Sequence, residues 1–247
     1  MGALILAPID LSKPLRVLDS GTADGTWIRD FSKSTVPVNH QIVGTGTDAA
    51  IFPTNPPVGH TYQVQDINKP WPEEWKESFD LVHQRLALVA GGSSQEQVLR
   101  NLAALVKPGG WIQLIETTNE IPEDIGPAFE NFLSILRSVF TAVGSTVHLG
   151  NELSGWLKAA GFEDVQDRLL HTRLGATNPD PYLAKKGVDA TMAGARGHFA
   201  FVKTLPSGTV PFTVEQIDRM PEELEAELAT KGAVFPLRVV WGRKPAA

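Results

Sequence analysis

A glycine-rich turn preceded by an acid is the stretch of this sequence best suited to bind a ligand. Residues 16–27 read RVLDSGTADGTW, so an apolar run ends at Asp19 and is followed by Gly21 and Gly25. This pattern predicts a strand, a tight loop and a helix. Glycines let a ligand approach the backbone closely, and the first turn of the helix offers unpaired N–H groups. The spacing lacks the third glycine of a dinucleotide fingerprint and the Gly-Lys of a P-loop.

Two further predicted strands also end in an acid. Residues 61–66 alternate and end at Asp66, and the apolar run 111–116 ends at Glu116. A fourth apolar run, 79–83, ends at His83. In open α/β sheets, ligands bind beyond the carboxyl ends of the strands. The sequence therefore predicts that these side chains gather at one edge of a sheet.

The first half of the chain alternates between strand and helix patterns. A short strand is expected at 41–44, and a helix after Ser94, which forms a capping-box pair with Gln97. Lys107-Pro108-Gly109-Gly110 ends that helix. This alternation predicts a parallel sheet with right-handed crossovers.

The second half of the sequence shows a less regular alternation of strand and helix patterns. An apolar stripe with three phenylalanines predicts a core helix near 129–143, and strands are expected at 162–170 and 235–241. Residues 175–212 are rich in glycine and proline with little periodicity, which suggests an insertion or a lid. Thr213 and Gln216 form a second capping-box pair, and Pro221 is expected to start a separate helix.

Composition narrows the class of protein. The 247 residues suit one large α/β domain or two small ones, and the net charge of −6 argues against a nucleic-acid binder. The absence of cysteine excludes disulfides and thiolate metal sites, and the histidines show no metal-ligand spacing, so no metal is expected. No apolar run is long enough for a membrane span, and no signal-peptide pattern is present, so a cytoplasmic location is expected.

Three ordered motifs carry a family resemblance. Residues 17–27, 79–85 and 105–116 resemble motif I, the fourth strand and the fifth strand of class I S-adenosylmethionine-dependent methyltransferases. The pair Trp71-Pro72 and the run His83-Gln84-Arg85 are similar to fungal secondary-metabolism methyltransferases. The resemblance implies a Rossmann-like α/β fold, with a seven-stranded, mostly parallel sheet, helices on both faces and an antiparallel last strand. It implies one domain over 1–247, with a cofactor-binding half at 1–116 and a substrate-side half at 117–247.

The resemblance also assigns roles toward S-adenosylmethionine. Asp19 would orient the ammonium group of the cofactor through a charge-assisted hydrogen bond. Gly21, Ala23 and Gly25 would line the methionine and ribose parts of the cofactor. Asp66 and Ile67 would hold its adenine. His83 and Gln84 would lie beside its methyl group.

Two departures from the family pattern leave questions open. The ribose-binding acid of the second strand falls within 45–48, where Asp48 is the candidate acid but Gly46 or Thr47 could occupy the position. The first strand also lies almost at the start of the sequence, whereas relatives carry helices there that cover the cofactor. A homodimer, a partner chain or the 175–212 segment is expected to provide that cover, unless the site is open or the sequence is truncated.

Methyl transfer is an in-line displacement, so alignment of the reacting atoms is the main requirement. A hydroxyl acceptor would gain from a general base. His83 is the first candidate base, with a structural role as the alternative, and Glu116 is the second. Arg85 could pair with an acidic substrate or hold a neighbouring group. Trp111 is a candidate for the substrate pocket as well as for the core.

The resulting hypothesis is a methyltransferase that acts on oxygen or nitrogen of a small natural product. Two alternatives stay open. The first is a protein of this fold without methyl transfer, such as a pericyclase or other cyclase. The second is a catalytically silent regulatory partner, because a fold does not prove a function. Cofactor affinity discriminates first, because a silent partner with a broken site would not bind S-adenosylmethionine.

Overall fold

A computed structural model describes residues 4–35 and 39–246, which form a seven-stranded sheet and six α-helices. The strands are β1 Arg16–Ser20, β2 Gln41–Gly46, β3 His60–Val64, β4 Phe79–Arg85, β5 Val106–Thr117, β6 Glu163–Leu174 and β7 Ala233–Arg243. The helices are α1 Thr26–Ser34, α2 Gln95–Ala103, α3 Pro127–Ala142, α4 Leu149–Ala159, α5 Pro181–Val202 and α6 Val214–Thr230.

The strands lie in the order β3-β2-β1-β4-β5-β7-β6. The four pairs from β3 to β5 are parallel. Strand β7 runs antiparallel to β5, because Gly109 N donates to Lys244 O while Thr118 N, further along, donates to Pro236 O, earlier in β7. The predicted fold class is confirmed, including the antiparallel last strand.

The chain divides into two compact units. The first comprises residues 1–116, 150–168 and 238–247, and the second comprises 117–149 and 169–237. The core of the first unit contains fully buried side chains of the central strands and of α1, among them Leu18, Ile28 and Leu81. In the second unit, α3, α5 and α6 pack around Phe129, Leu133 and the other residues of one apolar cluster.

Local patterns explain most of these elements. In α1, Trp27, Ile28 and Phe31 recur at helical spacing and are buried. In β4, Leu81 and Val82 are fully buried, as expected for a central parallel strand. The elements that hold the glycine turn therefore form where the sequence predicted them.

Two predictions about helix ends are wrong. Ser94 makes no side-chain capping bond at α2, and its backbone (φ −105°, ψ 18°) does not have the extended conformation typical of an N-cap. Pro221 does not start a helix but lies inside α6, which is continuous from Val214. The capping box of Thr213 and Gln216 at the start of α6 is confirmed by both of its reciprocal hydrogen bonds.

The 175–212 segment contains the 22-residue helix α5. Asp180 caps it by accepting from the backbone N–H groups of Tyr182 and Leu183, and Pro181 occupies its first turn. Its buried positions, which include Met192, Ala195 and Phe199, are spaced at three or four residues. Intervening glycines and alanines hide this stripe, because small residues carry little of the apolar signal.

Candidate functional site

The turn after β1 has three residues in the left-handed region. Gly21, Ala23 and Gly25 have φ angles of 75°, 50° and 71°. Gly25 N donates to Thr22 O, and Thr22 N donates to Thr45 O at the end of β2. The turn is therefore tied to the neighbouring strand and leads directly into α1.

Two glycines of this turn have no room for a side chain. A Cβ on Gly21 would lie 2.7 Å from the Cβ of Ala87, in the loop after β4. A Cβ on Gly25 would lie 2.6 Å from the hydroxyl oxygen of Tyr62 on β3. Both the positive φ angles and this close packing therefore require glycine.

Asp19, His83 and Trp27 form a buried group beside the turn. The Nδ1 atom of His83 lies 2.8 Å from Oδ1 of Asp19, its register partner across β1 and β4. The indole of Trp27 stacks on the imidazole with ring centroids 3.8 Å apart and planes 6° apart. His83 is fully buried, and this burial lowers the pKa of its imidazole more than the contact with Asp19 raises it. The imidazole is therefore neutral and donates from Nδ1 to the carboxylate.

Several buried polar atoms at this edge of the sheet have no hydrogen-bond partner within residues 4–35 and 39–246. They are Asp19 Oδ2, Ser20 Oγ, Thr22 Oγ1, Thr45 Oγ1, His83 Nε2 and both side-chain amide atoms of Gln84. Buried polar groups in proteins are almost always hydrogen-bonded. Such a concentration at the ends of three parallel strands indicates a site that a polar ligand completes.

Glu116 is buried at the end of β5 and contacts the loop after β4. Its Oε1 atom accepts from the backbone N–H groups of Ala87 and Leu88 at 3.0 and 2.9 Å. This carboxylate therefore fixes the loop whose Ala87 packs against Gly21. The contact gives Glu116 a structural function, whereas its role as a base stays a prediction.

The predicted adenine residues and Arg85 lie at the carboxyl ends of β3 and β4, two strands that are not adjacent in the sheet. Asp66 follows β3 and accepts from the backbone and side chain of Asn68, and Ile67 is buried beside it. Arg85 is exposed at the end of β4. Their individual roles stay predictions.

Residues 45–48, among which the ribose-binding acid was expected, lie at the end of β2 and just after it. Asp48 is exposed and caps the short 3₁₀ turn Ala49–Ile51 by accepting from Ala50 N at 2.9 Å. Thr45 is the last fully buried residue of β2 and is the register partner of Ser20. Gly46 faces Phe52, whose ring lies 3.3 Å from the position of an added Cβ.

Trp111 is not brought to this edge. It pairs with Leu81 near the start of the apolar part of β5, and it lines a groove of about 790 Å³ together with Pro8, Lys13 and Arg243. Four residues of β5 lie between it and Glu116. Its assignment as a substrate residue gains no support from this position.

Sequence reasoning missed Tyr62 and Trp27 as residues of the site. Tyr62 lies against both Gly25 and Gly44, and burial together with the charge of Asp19 raises the pKa of its phenol. A glycine at position 44, inside an otherwise apolar strand, was the available signal for a close approach by a bulky neighbour.

The described part of the chain lacks two features that would point to other classes of protein. Residues 4–35 and 39–246 contain no group of three histidine or acidic side chains placed to hold a metal ion. Within the same ranges, no helix has the length and apolarity required to cross a membrane.

Comparison with known proteins gives the family. Residues 3–167 match a family described as a methyltransferase domain. The chain is 36% identical to the N-methyltransferase sirN of Leptosphaeria maculans over 99% of its own length and 87% of that protein. It is 34% identical to the N-methyltransferase gliN of Aspergillus fumigatus, over 99% of the chain and 88% of that protein.

Solved structures share the fold at low sequence identity. A putative methyltransferase from an antibiotic biosynthesis pathway of Anabaena variabilis has a TM-score of 0.61 at 13% identity, over 93% of this chain and 91% of that one. Phosphoethanolamine N-methyltransferase 2 of Haemonchus contortus, solved with S-adenosyl-L-methionine, has a TM-score of 0.51 at 15% identity, over 97% of this chain and 50% of that one. This chain thus spans half the length of the Haemonchus protein.

The strand order and the glycine turn at the end of β1 define a Rossmann-like domain. The chain belongs to the methyltransferase domain family. It is a methyltransferase of the S-adenosylmethionine-dependent class, as the three sequence motifs predicted.

Proposed function

We propose that this protein transfers a methyl group from S-adenosylmethionine to a nitrogen atom of a small natural product. The choice of nitrogen follows the relatives sirN, gliN and tcpN, each of which is named an N-methyltransferase in a fungus. The identity of 34–37% over nearly the whole chain supports the same reaction class.

One observation carries the assignment of the cofactor site. The polar atoms that lack partners in residues 4–35 and 39–246 are concentrated at the ends of β1, β2 and β4, beside a turn that excludes side chains. Both donors and acceptors are present, since Gln84 offers an amide and Asp19 a carboxylate oxygen. This mixture fits a cofactor that carries an ammonium, a carboxylate and hydroxyl groups.

The proposal gives the individual residues the following roles. Asp19 Oδ2 accepts from the cofactor ammonium, and the backbone of Gly21, Ala23 and Gly25 lines the methionine and ribose. Gln84 donates to and accepts from groups near the methyl. Asp66 and Ile67 hold the adenine at the end of β3.

The ribose is proposed to contact Asp48 and the hydroxyl of Thr45. One carboxylate oxygen of Asp48 already caps a backbone N–H, so this acid offers less than a free bidentate acceptor. Thr45 supports the proposal because its buried hydroxyl has no partner in the described ranges. We therefore expect cofactor affinity to be weaker than with a free acid at the end of β2.

S-adenosylmethionine supplies an electrophilic methyl group when it is bound. The residues of the site act by orientation, which can lower the barrier by roughly 7–11 kcal/mol. A neutral amine already has a lone pair and needs a base less than a hydroxyl does. Glu116 and His83 therefore need not take up a proton in the methyl-transfer step, and Arg85 is kept as a substrate-binding residue.

The wider organisation of the protein is part of the same proposal. The 1–116 segment binds the cofactor, and 117–247 contributes the substrate side, with 175–212 or a partner chain as the cover. A homodimer and a cytoplasmic location are kept as predictions from the sequence.

Calorimetric titration with S-adenosylmethionine and S-adenosylhomocysteine tests the cofactor site. We expect micromolar binding of both by the wild type and at least tenfold weaker binding by Asp19→Asn. Asp30→Asn is the matched control, because this exposed acid on α1 undergoes the same chemical change. No binding by the wild type at millimolar cofactor would contradict the proposal.

Acceptor chemistry needs a second assay. S-adenosylmethionine with an isotopically labelled methyl group is incubated with pairs of small apolar compounds that differ only in an amine, amide or hydroxyl. Label transfer to nitrogen supports the proposal. Transfer only to oxygen would refute the nitrogen assignment while leaving the cofactor site intact.

A further inference from the structure

The buried group of Asp19, His83 and Trp27 lies at the centre of the proposed cofactor site, yet only Asp19 has an evident task there. His83 uses Nδ1 to bind Asp19 Oδ1 at 2.8 Å, and Trp27 covers one face of its ring. The Nε2 atom is buried and has no hydrogen-bond partner in the described residues. The Nδ1 atom and one ring face of His83 are therefore occupied by other residues of the chain.

The charge of the group is unbalanced. Burial keeps the imidazole neutral, so the pair of Asp19 and His83 carries the single negative charge of the carboxylate. Its second oxygen, Asp19 Oδ2, is also buried and lacks a partner within residues 4–35 and 39–246. Burying a charge without a counter-charge is costly. A cationic hydrogen-bond donor is the group that this arrangement lacks.

The carboxylate also has limited freedom to turn. Asp19 Oδ1 is held by His83, and the ring plane of His83 is set by stacking on Trp27. Asp19 and His83 are register partners on the adjacent strands β1 and β4. The hydrogen bond from His83 Nδ1 to Asp19 Oδ1 therefore fixes the direction in which Asp19 Oδ2 points. Pre-organisation of this kind lowers the entropy cost of binding a ligand.

We propose that His83 is a positioning residue that acts through Asp19, holding one carboxylate oxygen so that the other receives the cofactor ammonium. This inference rests on the proposed cofactor site and replaces the prediction of His83 as the general base. Trp27 has a supporting part, because it fixes the imidazole plane. The pair thus selects ligands that carry an ammonium at this position.

Two ligands and two substitutions at His83 test the proposal. S-adenosylhomocysteine carries the ammonium, whereas 5′-methylthioadenosine keeps the adenosine and the sulfur but lacks the amino-acid part. His83→Phe keeps a ring against Trp27 and removes the donor. His83→Asn supplies an amide N–H near the place of Nδ1. Thermal unfolding of each variant confirms that it is folded before its affinities are measured by calorimetry.

We expect His83→Phe to weaken the affinity for S-adenosylhomocysteine about tenfold and to change the affinity for 5′-methylthioadenosine less than twofold. His83→Asn should restore S-adenosylhomocysteine binding to within about threefold of the wild type. At saturating S-adenosylmethionine, kcat of His83→Phe should stay within about threefold. The double variant of His83→Phe and Asp19→Asn should bind S-adenosylhomocysteine no more weakly than Asp19→Asn alone, since the two residues act on one contact.

Other outcomes would overturn the proposal. An equal loss for both ligands would indicate a merely structural role, and unchanged affinity with kcat lost in both variants would indicate a base. If His83→Phe does not fold, the imidazole ¹⁵N spectrum of the wild type decides, because a neutral Nδ1–H tautomer is required with and without S-adenosylhomocysteine. Failure of the wild type to bind either ligand would instead refute the cofactor site itself.

Discussion

Glu116 and Ala87 are joined by a hydrogen bond that links the end of β5 to the glycine turn after β1. The carboxylate accepts from the backbone N–H of Ala87 at 3.0 Å, and the side chain of Ala87 occupies the space beside Gly21. Two strand ends and the turn thus form one connected unit. A change at Glu116 should therefore reach the cofactor site through the backbone.

Substitution of Glu116 should separate a structural function from a catalytic one. Glu116→Ala leaves the buried N–H of Leu88 without its acceptor, so we expect a loss of about 2–3 kcal/mol in the free energy of unfolding. Glu116→Gln keeps an acceptor oxygen and should lose about 1 kcal/mol or less. Urea unfolding measures both values. Abolished turnover in Glu116→Gln with normal S-adenosylhomocysteine affinity would instead identify a base.

Alanine at Gly25 should damage both stability and binding. The new Cβ would lie 2.6 Å from the hydroxyl of Tyr62, and the φ angle of 71° disfavours any side chain. We expect a loss of about 1–3 kcal/mol in the free energy of unfolding, with cofactor affinity reduced at least tenfold.

Gly194→Ala is the matched control for this substitution. Gly194 lies inside α5, and a Cβ there would have no neighbour within 4 Å. Alanine favours the helix, so stability should rise by about 0.5–1 kcal/mol. If both alanine variants have the same stability, the close packing around Gly25 does not restrict this position to glycine.

The acidic limb of the stability profile should depend on His40. Burial lowers the pKa of this imidazole. Its Nδ1 accepts from Leu15 N at 3.2 Å, and this hydrogen bond occupies the lone pair that a proton would need. The unfolded state therefore binds the proton first. This contribution to stability is complete above the ordinary histidine pKa of about 6.5 and is lost as the pH falls below it.

His40→Asn keeps an acceptor and removes the titration. We expect the variant to lose stability less steeply than the wild type between pH 6.5 and 5, by at most about 1.4 kcal/mol per pH unit. Between pH 7.5 and 8.5 the difference between the two proteins should be constant. Urea unfolding across this range provides the measurement, and parallel curves below pH 6.5 would contradict the assignment.

The sequence predicted the alternating strands and helices and the polar residues at the strand ends, because each of these depends on a local pattern of neighbouring residues. The glycine turn, the apolar β4 and the strand-end acids each follow from neighbouring residues. The contact of His83 with Asp19 could not be predicted in the same way, since it joins residues 64 positions apart and depends on the register of β1 and β4. The close approach of Tyr62 to Gly25 is likewise a tertiary contact.

Helix ends show the same limit at a smaller scale. Ser94 and Thr213 have the same capping-box pattern, yet only Thr213 makes the bond. Thr213 has the extended backbone typical of an N-cap (φ −76°, ψ 163°), whereas Ser94 does not (φ −105°, ψ 18°). The residue pattern shows which capping bonds are available, and the backbone conformation decides which of them form. This difference can be measured directly.

Alanine substitutions at the two caps should therefore have unequal effects. Thr213→Ala removes the acceptor for Gln216 N at the start of α6, so we expect a loss of about 1 kcal/mol in the free energy of unfolding. Ser94→Ala removes no capping bond from α2 and should change it by less than about 0.5 kcal/mol. Both side chains are exposed, so burial does not confound the comparison. Equal losses in urea unfolding would mean that Ser94 caps α2 in solution after all.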